Sequence, residues 1–356
     1  MDGADAVLAS FDAYGKPRVI ARSEAAFSNY LREEFLSLNS SGSDELARGA
    51  VAANALAEVY AQAVNNILNR TGVAPSQIAA LGAHGQTVRH QPAQGYTIQL
   101  NAPAYLAELT GIAVVADFRS RDVAAGGQGA PLVPMFHAGV FASEQSRAVL
   151  NLGGIGNVTV LNPGQNPIGF DTGPANVLMD LWCEIHTGKA YDKDGSWGAC
   201  GIIQDGLLTH LIEPEPWFLL AAPKSTGRDL FHLRWLESRM NDVNRGQTPF
   251  KPQDVQATLR ALTAKSATDA INKYAPNAAD VLVCGGGARN AALMAELQQR
   301  LPCPVHTTEH AGIATQDVEA LAFAWLAWAH QQGKAVGNPA VTGARGARIL
   351  GATWPA

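Results

Sequence analysis

The chain has 356 residues, 47% hydrophobic and 16% charged, with a mean hydropathy of −0.02; that supports a sizeable core in one large or two ordinary domains and excludes a disordered protein. A formal net charge of −5, a pI near 6.0 and no Lys/Arg block argue against nucleic acid or an anionic membrane as partner. Four cysteines, Cys183, Cys200, Cys284 and Cys303, stand apart without a CxxC pair, which fits a reducing compartment and neither a disulfide framework nor a zinc site.

The chain opens on "MDGADAVLAS", a polar turn leading into a strand, with no positive-then-apolar leader; a cytoplasmic protein is expected. Two strand-like runs from Ala4 to Ile20 flank "DAYGKP", a hairpin turn by its Gly and Pro. Residues 44–70 place Leu46, Val51, Ala55, Leu56, Val59 and Tyr60 at helical spacing. "IAALGAHGQTVRH" reads as strand and glycine loop, "YTIQL" as a strand, "APAYLAELTG" as a helix ended by glycine, and "IAVVADF" as another strand. The second half repeats the plan: "RAVLNLGGIGNVTVL" is strand, glycine turn, strand, and "GFDTGPANVLMDLWCEI" is strand end, loop, helix. "DVLVCGGGARNAALMAELQQRLPCPVHTTE" is strand, glycine loop, helix, strand. "ALAFAWLAWA" (Ala320–Ala329) is about half the length of a bilayer span and is expected as a core helix. The alternation is α/β.

Several of these stretches carry chemistry. In "NLGGIGN", Asn151, Gly153, Gly154 and Asn157 form a turn whose backbone can approach a phosphate, or else a hairpin needing positive φ. Asp171 closes a strand just before a helix; it is a general base, a holder of a metal's water shell, or simply a cap or turn residue. Gly285, Gly286 and Gly287, with Asn290, exceed what a strand-to-helix corner needs, and a purine and ribose, or a phosphate, can lie against them. His84, Gln86 and Thr87 follow a strand and suit substrate orientation better than metal ligation, since His84 and His90 are badly spaced for two ligands on one face. Arg119 and Arg121, beside Asp122 and "GGQGAP", offer forks for carboxylate or phosphate, or a surface salt bridge. "APKSTGR" lacks the upstream glycine of a P-loop, although Lys224 and Arg228 can face an anion. Glu319 opens an apolar helix, where an acid is favourable on dipole grounds alone. Two α/β halves with glycine turns at strand ends and one strand-terminal Asp point to a nucleotide between two lobes and to phosphoryl transfer.

In order along the chain, "HGQTVRH", "DFRSRDVAAGGQGAPLVP", "NLGGIGNV", "GFDTGPANVLMD", "PKSTGR", "DVQATL", "VLVCGGGARN", "EALAFAWLAW" and "NPAVTGA" resemble anhydro-N-acetylmuramic acid kinases over essentially the whole length. The resemblance implies two related ribonuclease-H-like lobes of the sugar-kinase and actin type, with a nucleotide cleft between them. It implies ATP and Mg2+ as cofactors, no dedicated protein metal site, a homodimer, and cell-wall sugar recycling. The reaction it implies is hydrolytic opening of the 1,6-anhydro ring of anhydro-N-acetylmuramic acid with phosphorylation of O6, giving N-acetylmuramic acid 6-phosphate. Asp171 would activate the water, and Glu319 would hold hydroxyls or assist Asp171. His84, Gln86, Thr87, Arg119 and Arg121 would face the sugar, and the two glycine loops would take phosphates and adenosine. Residues 1–140, completed by about 340–356, would form one lobe and residues 141–339 the other.

The family pattern begins with a strand and a "GTS" turn before "DG", so Asp2, Gly3 and Asp5 would be the remainder of a phosphate-contacting turn. An N-terminally truncated chain, unstable or weakly active, is therefore expected, with a non-catalytic sugar- or nucleotide-binding protein as the alternative and a simple cleft hydrolase ranked behind it. Smaller departures are Ala175 for glycine, Ser120 within an arginine run, and "QLNAP" for a "QIG" turn.

Overall fold

The computed structural model describes residues 3–244 and 249–356; Asp2, expected at phosphate, lies outside the described residues. The strands are β1 (Gly3–Phe11), β2 (Pro17–Ala26), β3 (Leu81–Ala83), β4 (Gln86–Gln91), β5 (Tyr96–Leu100) and β6 (Val114–Ala116). They continue with β7 (Arg147–Leu152), β8 (Ile155–Leu161), β9 (Ile168–Pro174), β10 (Asp280–Cys284), β11 (Val305–Thr307) and β12 (Ala352–Trp354). The chain divides into two compact α/β units, residues 1–140 with 317–356, and residues 141–316.

In the first unit, β1 and β2 form the expected antiparallel hairpin around Asp12–Lys16, where the Asp12 carboxylate accepts the N–H groups of Tyr14 and Lys16 at 2.9 and 2.8 Å. A separate sheet runs β12–β6–β3, with β3 parallel to β6 and β12 antiparallel to it, and β4 pairs with β5. Helix Glu45–Thr71 ends at Gly72, whose φ of 70° suits glycine, and helix Val318–Gln331 packs against both β1 and β3. An added Cβ on Gly82 would collide with the carbonyl of Phe323, so the glycine lets β3 approach that helix closely. Leu321, Ala322, Phe323, Trp325 and Leu326 are buried, which makes the apolar run a core helix as its length predicts.

The second unit holds a five-stranded sheet in the order β11–β10–β7–β8–β9. β8 lies antiparallel between β7 and β9, while β10 is parallel to β7 and β11 to β10. Its core gathers Leu150, Leu152, Val158, Phe170, Leu178, Leu207, Phe231, Leu259 and Val283, all nearly or fully buried. Arg147 grips Asp280 through two bonds of 2.7 and 2.6 Å and so ties together the first residues of β7 and β10. At the other end of β10, Gly285 has φ 79° and ψ 178°, a conformation essentially reserved for glycine, and a Cβ there would meet Asn151 Oδ1 at 2.5 Å.

Gly285→Ala should therefore lose about 1–3 kcal/mol of stability in chemical denaturation, by backbone strain alone. Hydrogen exchange provides a second check. β7 is paired on both edges and β1 on one only among the described residues, so amides of β1 that do not bond β2 should exchange well before those of β7. Equal protection in the two strands would contradict this sheet arrangement.

Candidate active site

In the second unit the parallel direction of β7, β9 and β10 brings three loops to one end of the sheet. The β7–β8 turn is fastened to the start of helix Asn176–Thr187. The carbonyl of Gly153 accepts the Asn176 N–H at 3.0 Å, and that of Gly154 accepts the N–H groups of Ala175 and Val177 at 3.0 Å each. The Asn176 side chain donates to the Leu152 carbonyl at 2.9 Å. The Gly285–Gly287 loop rests on the same turn, because a Cβ on Gly287 would meet Leu152 Cβ at 2.5 Å. Gly154 and Gly286 are exposed, which leaves backbone open to a ligand. Asn290 caps helix Ala291–Arg300, accepting the Leu293 N–H at 3.0 Å, so its side-chain oxygen is already used.

Asp171 lies in β9 opposite Asn157 of β8, immediately after a bulge at Gly156 and Asn157. Its N–H donates to the Lys224 carbonyl at 3.0 Å, and its Oδ2 accepts the Thr226 N–H at 2.9 Å. Burial pushes its carboxyl up to about 7, against the opposing pull of the Thr226 bond and the Lys224 charge. That value suits a general base near neutral pH. Lys224 is drawn down to about 8, first by desolvation and next by Lys273, with Asp171 acting the other way. Arg228 Nη2 lies 4.0 Å from the Cβ position of Gly154, beside the turn. Asn151, Gly153, Gly154, Asn157, Asp171 and Gly285–Gly287 thus meet in one corner. The alanine at position 175 has φ −115°, where no glycine is required.

In the first unit a polar cluster forms around Arg119. Its Nη2 is 2.8 Å from His84 Nε2 and its Nη1 donates to the Gly129 carbonyl at 2.8 Å, while its buried Nε has no partner. Arginine can only donate, so His84 accepts on Nε2 and carries its proton on Nδ1. The ring stacks on Phe323 at 4.3 Å, and burial, followed by the Arg119 charge, drops its pKa to about 3. Glu319, in the first turn of helix Val318–Gln331, stays solvent-accessible yet lies deep among protein atoms. Desolvation raises its carboxyl, Arg119 opposes the rise and Asp5 adds to it. Tyr60 lies within the field of Glu319 and bonds the Gly85 backbone, its phenol raised first by burial. Gly3 and Asp5 belong to β1 and are exposed.

Not every expected residue joins that cluster. Gln86 donates to the Thr87 carbonyl at 3.2 Å, and Thr87 Oγ1 accepts from Gln99 of β5 at 3.2 Å. Arg121 is exposed and lines a separate cavity of about 490 Å³ with Ala335, Ala347, Arg348, Ile349 and Gly351. Arg119 and Arg121 are therefore not a paired clamp. Asp122 is buried and structural, accepting the Gly129 N–H and the Thr342 hydroxyl at 2.8 Å each. Tyr60 and the Thr226 backbone give no chemical signal in sequence, since one reads as helix core and the other as loop.

Residues 1–356 match the family described as anhydro-N-acetylmuramic acid kinase. The chain is 60% identical over 356 residues to the anhydro-N-acetylmuramic acid kinase of Bordetella parapertussis, covering 100% of this chain and 93% of that protein. It is 48% identical over 357 residues to the protein of the same name from Chromobacterium violaceum, covering 100% of this chain and 96% of that one. Among solved structures, the activator of the 2-hydroxyisocaproyl-CoA dehydratase from Clostridium difficile with bound ADPNP aligns with a TM-score of 0.44 at 12% identity, over 92% of this chain and 96% of that one. Whole-length identity at this level leaves no room for a different family: the chain belongs to the anhydro-N-acetylmuramic acid kinases.

Proposed function

We propose that this kinase uses ATP and water to open the 1,6-anhydro ring of anhydro-N-acetylmuramic acid and to phosphorylate O6, with Asp171 as the base. The observation that carries this reading is a carboxylate raised to about 7, fixed by a backbone N–H at 2.9 Å and placed across β8 from a glycine turn. Asp171 takes a proton from water, and that water's oxygen bonds the anomeric carbon as the C1–O6 bond breaks. The freed O6 bonds the γ-phosphorus, the β,γ-bridging bond breaks, and the proton on Asp171 passes to solvent.

The exposed Gly154 turn would hold the phosphates and Gly285–Gly287 the adenosine side, with Arg228 beside them to offset charge. Mg2+ would be carried on phosphate oxygens and water. Bound so, Mg2+ would neutralise charge on the transferred group. In the first unit, Arg119 and Glu319, with neutral His84, would take the carboxylate and hydroxyls of the sugar; the unpartnered Arg119 Nε is a donor still to be satisfied. The Arg121 cavity and the Gln86–Thr87 strand would have a lesser share in that recognition. The family's homodimer belongs to the same reading. A binding protein without turnover is disfavoured, because the base and both glycine loops stand together in one corner.

Asp171→Asn should lower kcat by about 10²–10⁴ with fold and nucleotide affinity retained, followed as ADP and sugar 6-phosphate together. ADP release that continues unchanged would remove Asp171 from the mechanism. In the wild type, kcat/KM should fall as pH drops through about 7, since protonation removes the base. Arg119→Lys should raise the sugar KM by about tenfold with little change in the ATP KM, because lysine lacks the planar fork.

A further inference from the structure

Residues 222–228 do more at this corner than close a loop. The backbone at Lys224 and Thr226 brackets Asp171, one carbonyl accepting its N–H at 3.0 Å and one N–H bonding its carboxylate at 2.9 Å. The Lys224 side chain turns back on the short helix Pro216–Leu219. Its Nζ donates to the carbonyls of Trp217 and Phe218 at 3.3 and 3.2 Å and sits 4.1 Å from the Trp217 ring centroid. Trp217 is itself fixed, its indole N–H bonded to the Ser225 carbonyl at 2.9 Å. A half-buried ammonium held by two carbonyls and an aromatic face has its charge localised without being neutralised.

We propose that Lys224 is a positioning residue for Asp171, its caged ammonium keeping the neighbouring carboxylate charged and in place to accept a proton from water. This rests on the reading of Asp171 as the base. β8 presents the neutral Asn157, and the 222–228 segment presents Lys224 together with the Thr226 N–H. Helix Pro252–Tyr274, packed against β8 and β9, brings Lys273, whose charge acts on Lys224. Arg228 stands at Gly154, beside the turn. Burial raises the Asp171 carboxyl, and the Thr226 bond and the Lys224 charge oppose it. The cage holds the ammonium on the Trp217 and Phe218 carbonyls, next to the segment that brackets Asp171.

The test compares Lys224→Met, which keeps the apolar stem over the indole, with Lys224→Arg, which keeps the charge. For the methionine variant the acid limb of kcat/KM should move up by about one pH unit, giving about a tenfold loss near pH 6.5 and near-recovery at pH 9. The arginine variant should keep the wild-type limb. A loss of the same size at every pH would show Lys224 to be a structural prop and overturn the proposal. Infrared titration of the Asp171 carboxyl, from the difference between each protein and its Asp171→Asn counterpart, reads the same effect without turnover. Unchanged titration in the methionine variant would defeat the Lys224 assignment while Asp171 remains the base. Wild-type activity in Asp171→Asn itself would instead defeat the reading of the base. Thermal melts accompany both variants; if the methionine variant misfolds, Lys224→Gln takes its place in the infrared titration, an upward shift supporting the assignment and the wild-type midpoint overturning it.

Discussion

The register of β8 against β9 is the constraint on which the second unit's chemistry depends. A bulge at Gly156 and Asn157 shifts the pairing so that Asp171 stands opposite Asn157, and its carboxylate then meets the Thr226 N–H. Moving β9 by one residue would turn Asp171 to the other face of the sheet and put Phe170, fully buried in the core, in its place. Core packing and the placement of Asp171 are thus one requirement. The hydrophobic face of β9 fixes the register, and the register fixes the proposed base.

The same corner shows how burial and hydrogen bonding divide the work of tuning a carboxylate. Desolvation alone would make Asp171 a poor anion, and the Thr226 bond and the Lys224 charge pull it back. In the first unit, Arg119 does for Glu319 what Lys224 does for Asp171, while Asp5 works against it. His84 is kept neutral by burial beside a guanidinium, which leaves it able to hold a fixed tautomer and unable to act as an acid near neutral pH.

Much of this was legible in the residues. Glycines at strand ends, a lone Asp before a helix and an apolar run too short for a membrane gave the α/β class, the loops and the core helix, because those signals are local. Placement was not legible. Arg119 and Arg121 are two residues apart and read as a pair, yet residues so spaced do not share a helix face, and the fold sends one to His84 and the other to a different cavity. Asn290 read as a ligand contact and serves as a helix cap, since an Asn before a helix satisfies both patterns. Tyr60 fell within a helical stripe and was indistinguishable from core until Glu319, far away in sequence, was brought to it.

The division of the chain also bears on the order in which the protein is made. The second unit is one continuous stretch, 141–316, whereas the first needs residues 317–356 to supply helix Val318–Gln331 and β12. A ribosome delivers the whole of the second unit before it delivers the last segment of the first. The unit encoded earlier is therefore the later one to finish, and its hairpin and β3 wait, without the helix that covers them, through the synthesis of everything between.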